Sequence, residues 1–102
     1  MKLLTKELKE KLPSIEEAKK EDDPVAYVKY FHPMSNWTWF AAGFSDSHFW
    51  GLVDGDFVEI GLFSLEEMKS VRVNGLGIER DLHFEPKLMS EVRKEIIERR
   101  RK

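Results

Sequence analysis

The sequence predicts an α+β fold: an antiparallel sheet of four to five strands with N-terminal and C-terminal helices packed against it. Apolar residues recur with a period of two between residues 25 and 63, the pattern of strands. Capping residues and helical spacing occur before and after this stretch. Because the strands form one run, the pattern favours helices on one face of an antiparallel meander. A chain of 102 residues corresponds to a single domain.

The N-terminal segment, residues 1–21, carries the signals of two short helices. Thr5 is a capping residue for a helix that runs to about Leu12. A capping box that begins at Ser14 predicts a second helical turn through Lys20. An Asp-Asp-Pro sequence then breaks the chain before the strands begin.

Four strands and one tight turn are predicted for the meander. Asp54-Gly55 lies between two apolar runs, so it predicts a two-residue hairpin in which glycine supplies a positive φ. The four strands are Val25–Phe31, Trp37–Phe44, His48–Val53 and Phe57–Phe63.

The last third of the chain combines helices with a fifth strand. A capping box at Ser64 predicts a short helix over residues 64–71. Charged and apolar residues alternate over 78–84, which predicts the fifth strand. Pro86 is expected at the first position of a final helix over 86–101. The apolar stripe of that helix is Leu88, Met89, Val92, Ile96 and Ile97.

Composition excludes several classes of protein. Hydrophobic residues make up 41% of the chain and the net charge is −2, so neither a disordered tail nor a globally basic nucleic-acid binder is indicated. The absence of cysteine excludes disulfides and thiolate metal sites. No apolar run approaches the ~18 residues of a membrane span. We therefore expect a cytoplasmic protein without a membrane segment or cofactor, as a monomer or small homo-oligomer.

One charged segment of the sequence contains side chains that could bind a metal or act in catalysis. In an extended strand Glu79, Asp81 and His83 share a face, where they could hold a divalent metal or act as acid and base. A solvated edge strand explains the same pattern, because charges there deter aggregation. Nothing else in the sequence completes a ligand set, so no metal site and no catalytic residue is predicted. A small metal-dependent enzyme remains an alternative.

Arg80 falls on the opposite, apolar face of the same predicted strand. A charge there is costly unless it is paired. We therefore predict a buried ion pair between Arg80 and a carboxylate, with Glu59 or Glu67 as the partner.

The tryptophans indicate a binding surface. Trp37, Trp39 and Trp50 are difficult to bury together in so small a domain, and an exposed tryptophan is typical of a protein-binding patch. Residues 16–23 add a patch of acidic side chains. The acidic residues are Glu16, Glu17, Glu21, Asp22 and Asp23. The candidate binding residues are Trp37, Trp39, Trp50, Glu79, Arg80, Asp81 and His83.

The basic C-terminus supports a different function. A basic run at the end of a helix commonly complements the helix dipole in solvent. The same residues could instead contact phosphate groups, which makes a nucleic-acid-binding accessory protein an alternative. They are Arg93, Lys94, Arg99, Arg100, Arg101 and Lys102.

Several uncommon phrases, in the same order along nearly the whole chain, resemble domain of unknown function family 2958. The phrases are Met1–Leu8, Lys11–Pro13, Ser35–Trp39, Phe63–Glu67, Ile78–Asp81 and Phe84–Pro86. The resemblance implies a small accessory protein of conjugative plasmids, integrative elements and phages. It also implies a role beside DNA transfer or host defence, without carrying over any catalytic residue.

The function that these observations favour is a non-enzymatic protein-interaction module of a mobile element. The mild acidity and the surplus of aromatic residues suggest a protein partner. One concrete form is a protein that blocks a host defence nuclease, with acidic residues competing with DNA for a basic groove.

Overall fold

The computed structural model describes residues 1–101 and confirms the α+β class. The predicted caps are present, because Thr5, Ser14 and Ser64 each accept a hydrogen bond from a backbone N–H in the first turn of a helix. None of the helices in this range is long and apolar enough to cross a lipid bilayer. The elements are α1 (Lys6–Lys11), α2 (Ile15–Lys20), β1 (Val25–Ala26), β2 (Val28–Phe31), β3 (Thr38–Ser45), β4 (His48–Asp54), β5 (Val58–Ser64), α3 (Leu65–Ser70), β6 (Glu79–Arg80), β7 (Lys87–Leu88) and α4 (Met89–Arg100).

The strands form two antiparallel sheets. Five strands lie in the order β5-β4-β3-β2-β6, and β1 pairs with β7 in a separate two-stranded sheet. The predicted first strand is therefore divided at Tyr27, whose N–H donates to the Ala41 carbonyl at 2.8 Å. In the large sheet, β5 and the two-residue β6 are the edges.

Apolar clusters cover both faces of the large sheet, so the expectation of helices on a single face is wrong. On one face Ala41 packs in a cluster with Leu12 and with Met68 of α3. On the other face Phe40 packs in a cluster with Val92 of α4. Neighbouring residues of a strand point to opposite faces, so β3 supplies both clusters. We call these faces the α3 face and the α4 face.

The turn between β4 and β5 differs from the predicted two-residue hairpin. Asp54 is the last residue of β4 and pairs with Val58, so residues 55–57 form the loop. Gly55 does not adopt a positive φ. Its missing side chain instead makes room for Trp37, since a Cβ at this position would lie 2.6 Å from the indole.

The predicted fifth strand is much shorter than expected. Only Glu79–Arg80 pairs, with β2, and the chain then turns. The Asp81 carboxylate accepts a hydrogen bond from the His83 N–H at 2.9 Å, and the Phe84 N–H donates to the Asp81 carbonyl at 3.3 Å. An aspartate that bonds the backbone two residues ahead favours a turn over a strand.

The last helix begins three residues later than predicted. Pro86 precedes the short strand β7, and the helical region starts at Met89. Its N-terminus is capped by a distant residue, because the Asp23 carboxylate accepts from the Ser90 N–H at 2.9 Å and from the Ser90 hydroxyl at 2.5 Å. Of the predicted apolar stripe, Met89, Val92 and Ile96 are buried, whereas Leu88 and Ile97 are exposed.

Candidate functional site

A buried carboxylate joins the end of β4 to the end of α4. Asp54 follows Leu52 at strand spacing on the α4 face and is only 3% exposed. Burial of an ionised carboxylate is costly unless hydrogen bonds compensate it. Arg99 and Arg100, in the last turn of α4, supply those bonds.

The two arginines bind opposite oxygens of this carboxylate. Arg99 donates from Nη2 to Asp54 Oδ2 at 2.7 Å. Arg100 donates to Oδ1 from both Nε, at 3.2 Å, and Nη2. Nη2 of Arg100 also donates to the Gly55 carbonyl at 2.7 Å. Two guanidinium groups are thus held side by side with one negative charge between them.

A cleft of about 610 Å³ opens beside this ion-pair cluster, and we call it the Asp54 cleft. The loop that precedes β3 forms a second wall, where the Trp37 side chain is 40% exposed and rests on Gly55. The lining residues are Phe31, His32, Ser35, Asn36, Trp37, Thr38, Asp54, Gly55, Arg99 and Arg100.

The buried side chain of His32 and the buried hydroxyl oxygen of Thr38 lie in the cleft wall and differ in their hydrogen bonding. His32 uses both ring nitrogens, since Nδ1 accepts from the Met34 N–H at 3.0 Å and Nε2 lies 2.9 Å from the Leu76 carbonyl. Because Nδ1 accepts, Nε2 carries the proton and the ring is neutral. Thr38 Oγ1, in contrast, is buried without a hydrogen-bond partner in the described part of the chain.

The three tryptophans do not share one surface. Trp37 and Trp39 are neighbours, with ring centroids 6.0 Å apart, and Trp39 packs against the cluster of the α3 face. Trp50 lies on the α4 face, half-buried against the cluster below α4. Of the three tryptophans, only Trp37 is exposed, and the other two are half-buried.

The phrase around Arg80 does not form the predicted constellation. Arg80 is half-buried and makes no ion pair within residues 1–101, because Glu59 lies on β5, at the opposite edge of the sheet, and Glu67 lies on α3. The buried pair predicted for it is therefore wrong. Asp81 instead lies 3.7 Å from the ammonium of Lys29.

Glu79, Asp81 and His83 do not converge either. His83 is exposed beyond the turn at Asp81, and no three histidine, aspartate or glutamate side chains within the described range are arranged to hold a metal ion. The shared face that the sequence suggested depended on an extended strand, which ends at Arg80.

The basic residues of the last helix fall on two different surfaces. Arg99 and Arg100 line the Asp54 cleft. Arg93, Lys94 and Arg101 line a separate groove of about 720 Å³. Lys102 lies outside the described residues. The basic side chains that are described thus do not form one continuous patch.

That second groove borders the uncovered edge of the sheet. Ile60 of β5 and Ile97 of α4 are exposed along it, and Asp22 and Asp23 of the acidic patch stand on its wall. Leu62, also on the α4 face of β5, is 60% exposed. The exposed apolar side chains of Ile60, Leu62 and Ile97 form what we call the β5 surface.

The Asp54 site was missed because Asp-Gly was assigned to a tight turn. Trp50, Leu52 and Asp54 follow one another at strand spacing, which places the aspartate on a face bearing large apolar residues. An acidic residue there requires a cationic partner, and a pair of arginines on the final helix is available. These two signals together could have identified the cluster.

Comparison with known proteins gives one match. No curated protein and no solved structure matches the chain. The model of the family described as "Protein of unknown function (DUF2958)" matches residues 3–97. Because the match covers most of its length, the chain belongs to this family.

Proposed function

We propose that the protein is a non-enzymatic protein-interaction module of a mobile element, and that its partner adds an extended segment to β5. The observation that carries this proposal is the exposed edge strand β5 with its apolar side chains. The family match itself gives no function. The mobile-element context of the proposal comes from the resemblance described in the sequence analysis.

Strand β5 has the properties of an edge that binds another chain. It is seven residues long, and no strand within residues 1–101 pairs with its outer side. Edge strands are normally protected by lysine, proline, a bulge or a covering helix. β5 contains one charged residue, Glu59, and no proline or lysine. Ile60 and Leu62 are 47% and 60% exposed on its α4 face.

The main chain of β5 has an unpaired side, because β5 is an edge of the five-stranded sheet and no described strand pairs with its outer side. A Cβ built at Gly61 would meet no heavy atom within 4 Å, so the α3 face of β5 is also open at this position. In this mode of recognition the main chain supplies hydrogen bonds and alternate side chains supply selectivity. Here the alternate contacts would be Ile60 and Leu62.

Charge beside the β5 surface indicates the chemistry of the partner. Asp22 and Asp23 line the same groove as Ile60, where basic residues of α4 also lie. The exposed Glu16, Glu17 and Glu21 of the acidic patch precede them in the chain. A partner with an apolar strand and neighbouring lysines or arginines would complement the exposed apolar side chains of β5 and the acidic patch of residues 16–23. The DNA-binding groove of a host defence nuclease is basic, and we propose such a nuclease as the partner class.

Photo-crosslinking inside a bacterial host tests the proposal. A photoreactive amino acid replaces Leu62 in one variant and Glu59 in the matched control, because strand positions an odd number of residues apart point to opposite faces. We expect position 62 to give a discrete adduct with a host protein and position 59 to give little. Mass spectrometry of the adduct identifies the partner.

Two further results decide the outcome. Ile60→Lys, which places a charge on the edge, should abolish the adduct while the circular dichroism spectrum stays unchanged. An adduct with a nuclease subunit supports the partner class. Equal crosslinking at both positions, or an adduct with a second copy of this chain alone, would contradict the proposal.

A nucleic-acid accessory function and a metal-dependent enzyme are supported less well. The described basic residues of α4 are divided between two surfaces, because Arg99 and Arg100 lie in the Asp54 cleft and the others line a groove that also contains acidic residues. They therefore form no continuous basic track for a nucleic-acid strand. Glu79, Asp81 and His83 do not form a ligand set. Neither function has a specific observation in its favour that equals the exposed edge of β5.

A further inference from the structure

We propose that the Asp54 cleft binds a nucleoside phosphate, with Arg99 and Arg100 holding the phosphate and Trp37 stacking on the base. This inference does not depend on the proposed function, because the Asp54 cleft and the β5 surface have no residue in common.

The arginine pair provides a positioned anion site. Asp54 fixes both guanidinium groups but neutralises only one of their charges, and His32 is neutral. Arg99 uses a single nitrogen in these bonds and Arg100 uses two, so most of their N–H groups remain available. Guanidinium groups bind phosphate oxygens bidentately, and prior fixation by a carboxylate reduces the entropy that is lost on binding.

The opposite wall of the cleft favours a planar group. Trp37 is exposed and held in place by Trp39 and by close contact with Gly55. Stacking of a nucleobase on an aromatic side chain is worth about 1–3 kcal/mol and accepts any base. A carboxylate of an acidic peptide would satisfy the arginines but would leave this wall without a planar partner.

The size and remaining polar groups of the cleft agree with this ligand. Its volume of about 610 Å³ lies within the usual range for small-molecule sites. Asn36 is exposed at the cleft and offers an amide that both donates and accepts, as the edge of a base requires. Thr38 Oγ1 is a buried hydroxyl in the wall that has no partner among the described residues.

Nuclear magnetic resonance titration of the full chain tests the site. The probes are adenosine 5′-monophosphate, adenosine, inorganic phosphate, and a short oligodeoxynucleotide with and without a 5′-phosphate. The reporters are the indole N–H of Trp37 and the guanidinium Nε–H of Arg100. We expect saturable chemical-shift changes with the nucleotide. Adenosine alone and phosphate alone should each bind at least about tenfold more weakly than the nucleotide, since each lacks one of the two contacts.

Variants separate the cleft from general charge. Trp37→Leu and Arg99→Gln should each weaken nucleotide binding about tenfold. Trp50→Phe and Lys94→Gln, which alter an aromatic and a basic residue elsewhere, should leave it unchanged. If Trp37→Leu alters the whole spectrum, Asn36→Ala at the exposed rim replaces it and should also weaken binding.

Each outcome bears on the inference. Binding of the mononucleotide alone, or of the 5′-phosphorylated strand in preference to its unphosphorylated form, supports the site and identifies the source of the phosphate. The inference is overturned if no probe shifts Trp37 at millimolar concentration. Equal affinity for inorganic phosphate and the nucleotide, or binding that the Lys94→Gln control weakens as much as Arg99→Gln, overturns it too.

Discussion

At the scale of single residues, Gly51 and Gly61 form a natural matched pair, because they face each other across β4 and β5. A Cβ at Gly51 would lie 1.8 Å from the Phe40 carbonyl oxygen, which belongs to the backbone of β3. The backbone cannot move aside without disturbing the ladder between β3 and β4. The same atom at Gly61 would meet nothing within 4 Å.

We therefore expect opposite effects from one substitution at these two positions. Gly51→Ala should lower the free energy of unfolding by about 3 kcal/mol through overpacking. Gly61→Ala should raise it by about 0.5 kcal/mol, because alanine restricts the unfolded chain. Urea denaturation followed by tryptophan fluorescence measures both. Equal destabilisation by the two variants would show that the close approach at Gly51 does not limit packing.

At the scale of elements, α4 depends on a cap that comes from another part of the chain. Leu88, its N-cap residue, offers no side-chain hydrogen bond, and Asp23 accepts from Ser90 in its place. Removing a helix cap typically costs about 0.5–2 kcal/mol. The cap also joins the turn after α2 to the start of α4, 67 residues further along the chain.

Asp23→Ala should accordingly destabilise the protein by about 1 kcal/mol, and faster amide exchange should be concentrated in the first turn of α4. Asp22→Ala removes the neighbouring exposed carboxylate and serves as the control. Hydrogen–deuterium exchange of both variants gives the comparison. The same exchange rates in α4 for the two variants would exclude the capping role.

The success of sequence-based prediction also differs between elements. The caps at Thr5, Ser14 and Ser64 were predicted correctly, because capping depends on residues three apart. The turn at Asp54 and the start of the last helix were predicted wrongly. In both cases a local signal, Asp-Gly or proline, was overridden by a contact with a residue more than 40 positions away.

Prediction of the candidate site from the sequence was limited in the same way, by contacts between residues far apart in the chain. Trp37, Trp39 and Trp50 were named together as difficult to bury in so small a domain, and the sequence did not indicate that Trp37 is the exposed one of the three. The basic residues of the last helix were noted as well, but their division between two surfaces follows from how α4 crosses the sheet. Residue types are visible in a sequence, whereas the tertiary contact that joins Asp54 to Arg99 and Arg100 is not.

At the scale of the whole molecule, Tyr30 links the N-terminal segment to the centre of the sheet. It is fully buried, and its hydroxyl donates to the Leu3 carbonyl at 2.5 Å. Burial raises the pKa of Tyr30 well above its ordinary value of 10.0, and the nearby charge of Arg80 lowers it by less. The folded state therefore favours the protonated phenol at alkaline pH values at which the unfolded chain ionises it.

This shift makes stability depend on pH. Because the pKa is higher in the folded state, the contribution of Tyr30 is complete below about pH 10 and declines above it, by about 1.4 kcal/mol per pH unit. Tyr30→Phe should be less stable at pH 8, since the Leu3 carbonyl loses its partner, and should show a shallower alkaline decline. Tyr27→Phe is the control. Parallel alkaline declines for wild type and Tyr30→Phe, measured by urea denaturation, would refute the linkage.

The placement of α4 has a consequence for how two molecules can exchange parts. This helix follows the turn at residues 81–86 and is held through side chains and the short strand β7, outside the ladder of the large sheet. If that turn opened as a hinge in two molecules, α4 of each would pack on the large sheet of the other. It would re-form there the contacts with Asp23 and Asp54. Domain swapping of α4 is therefore the form of misassembly that we expect at high protein concentration.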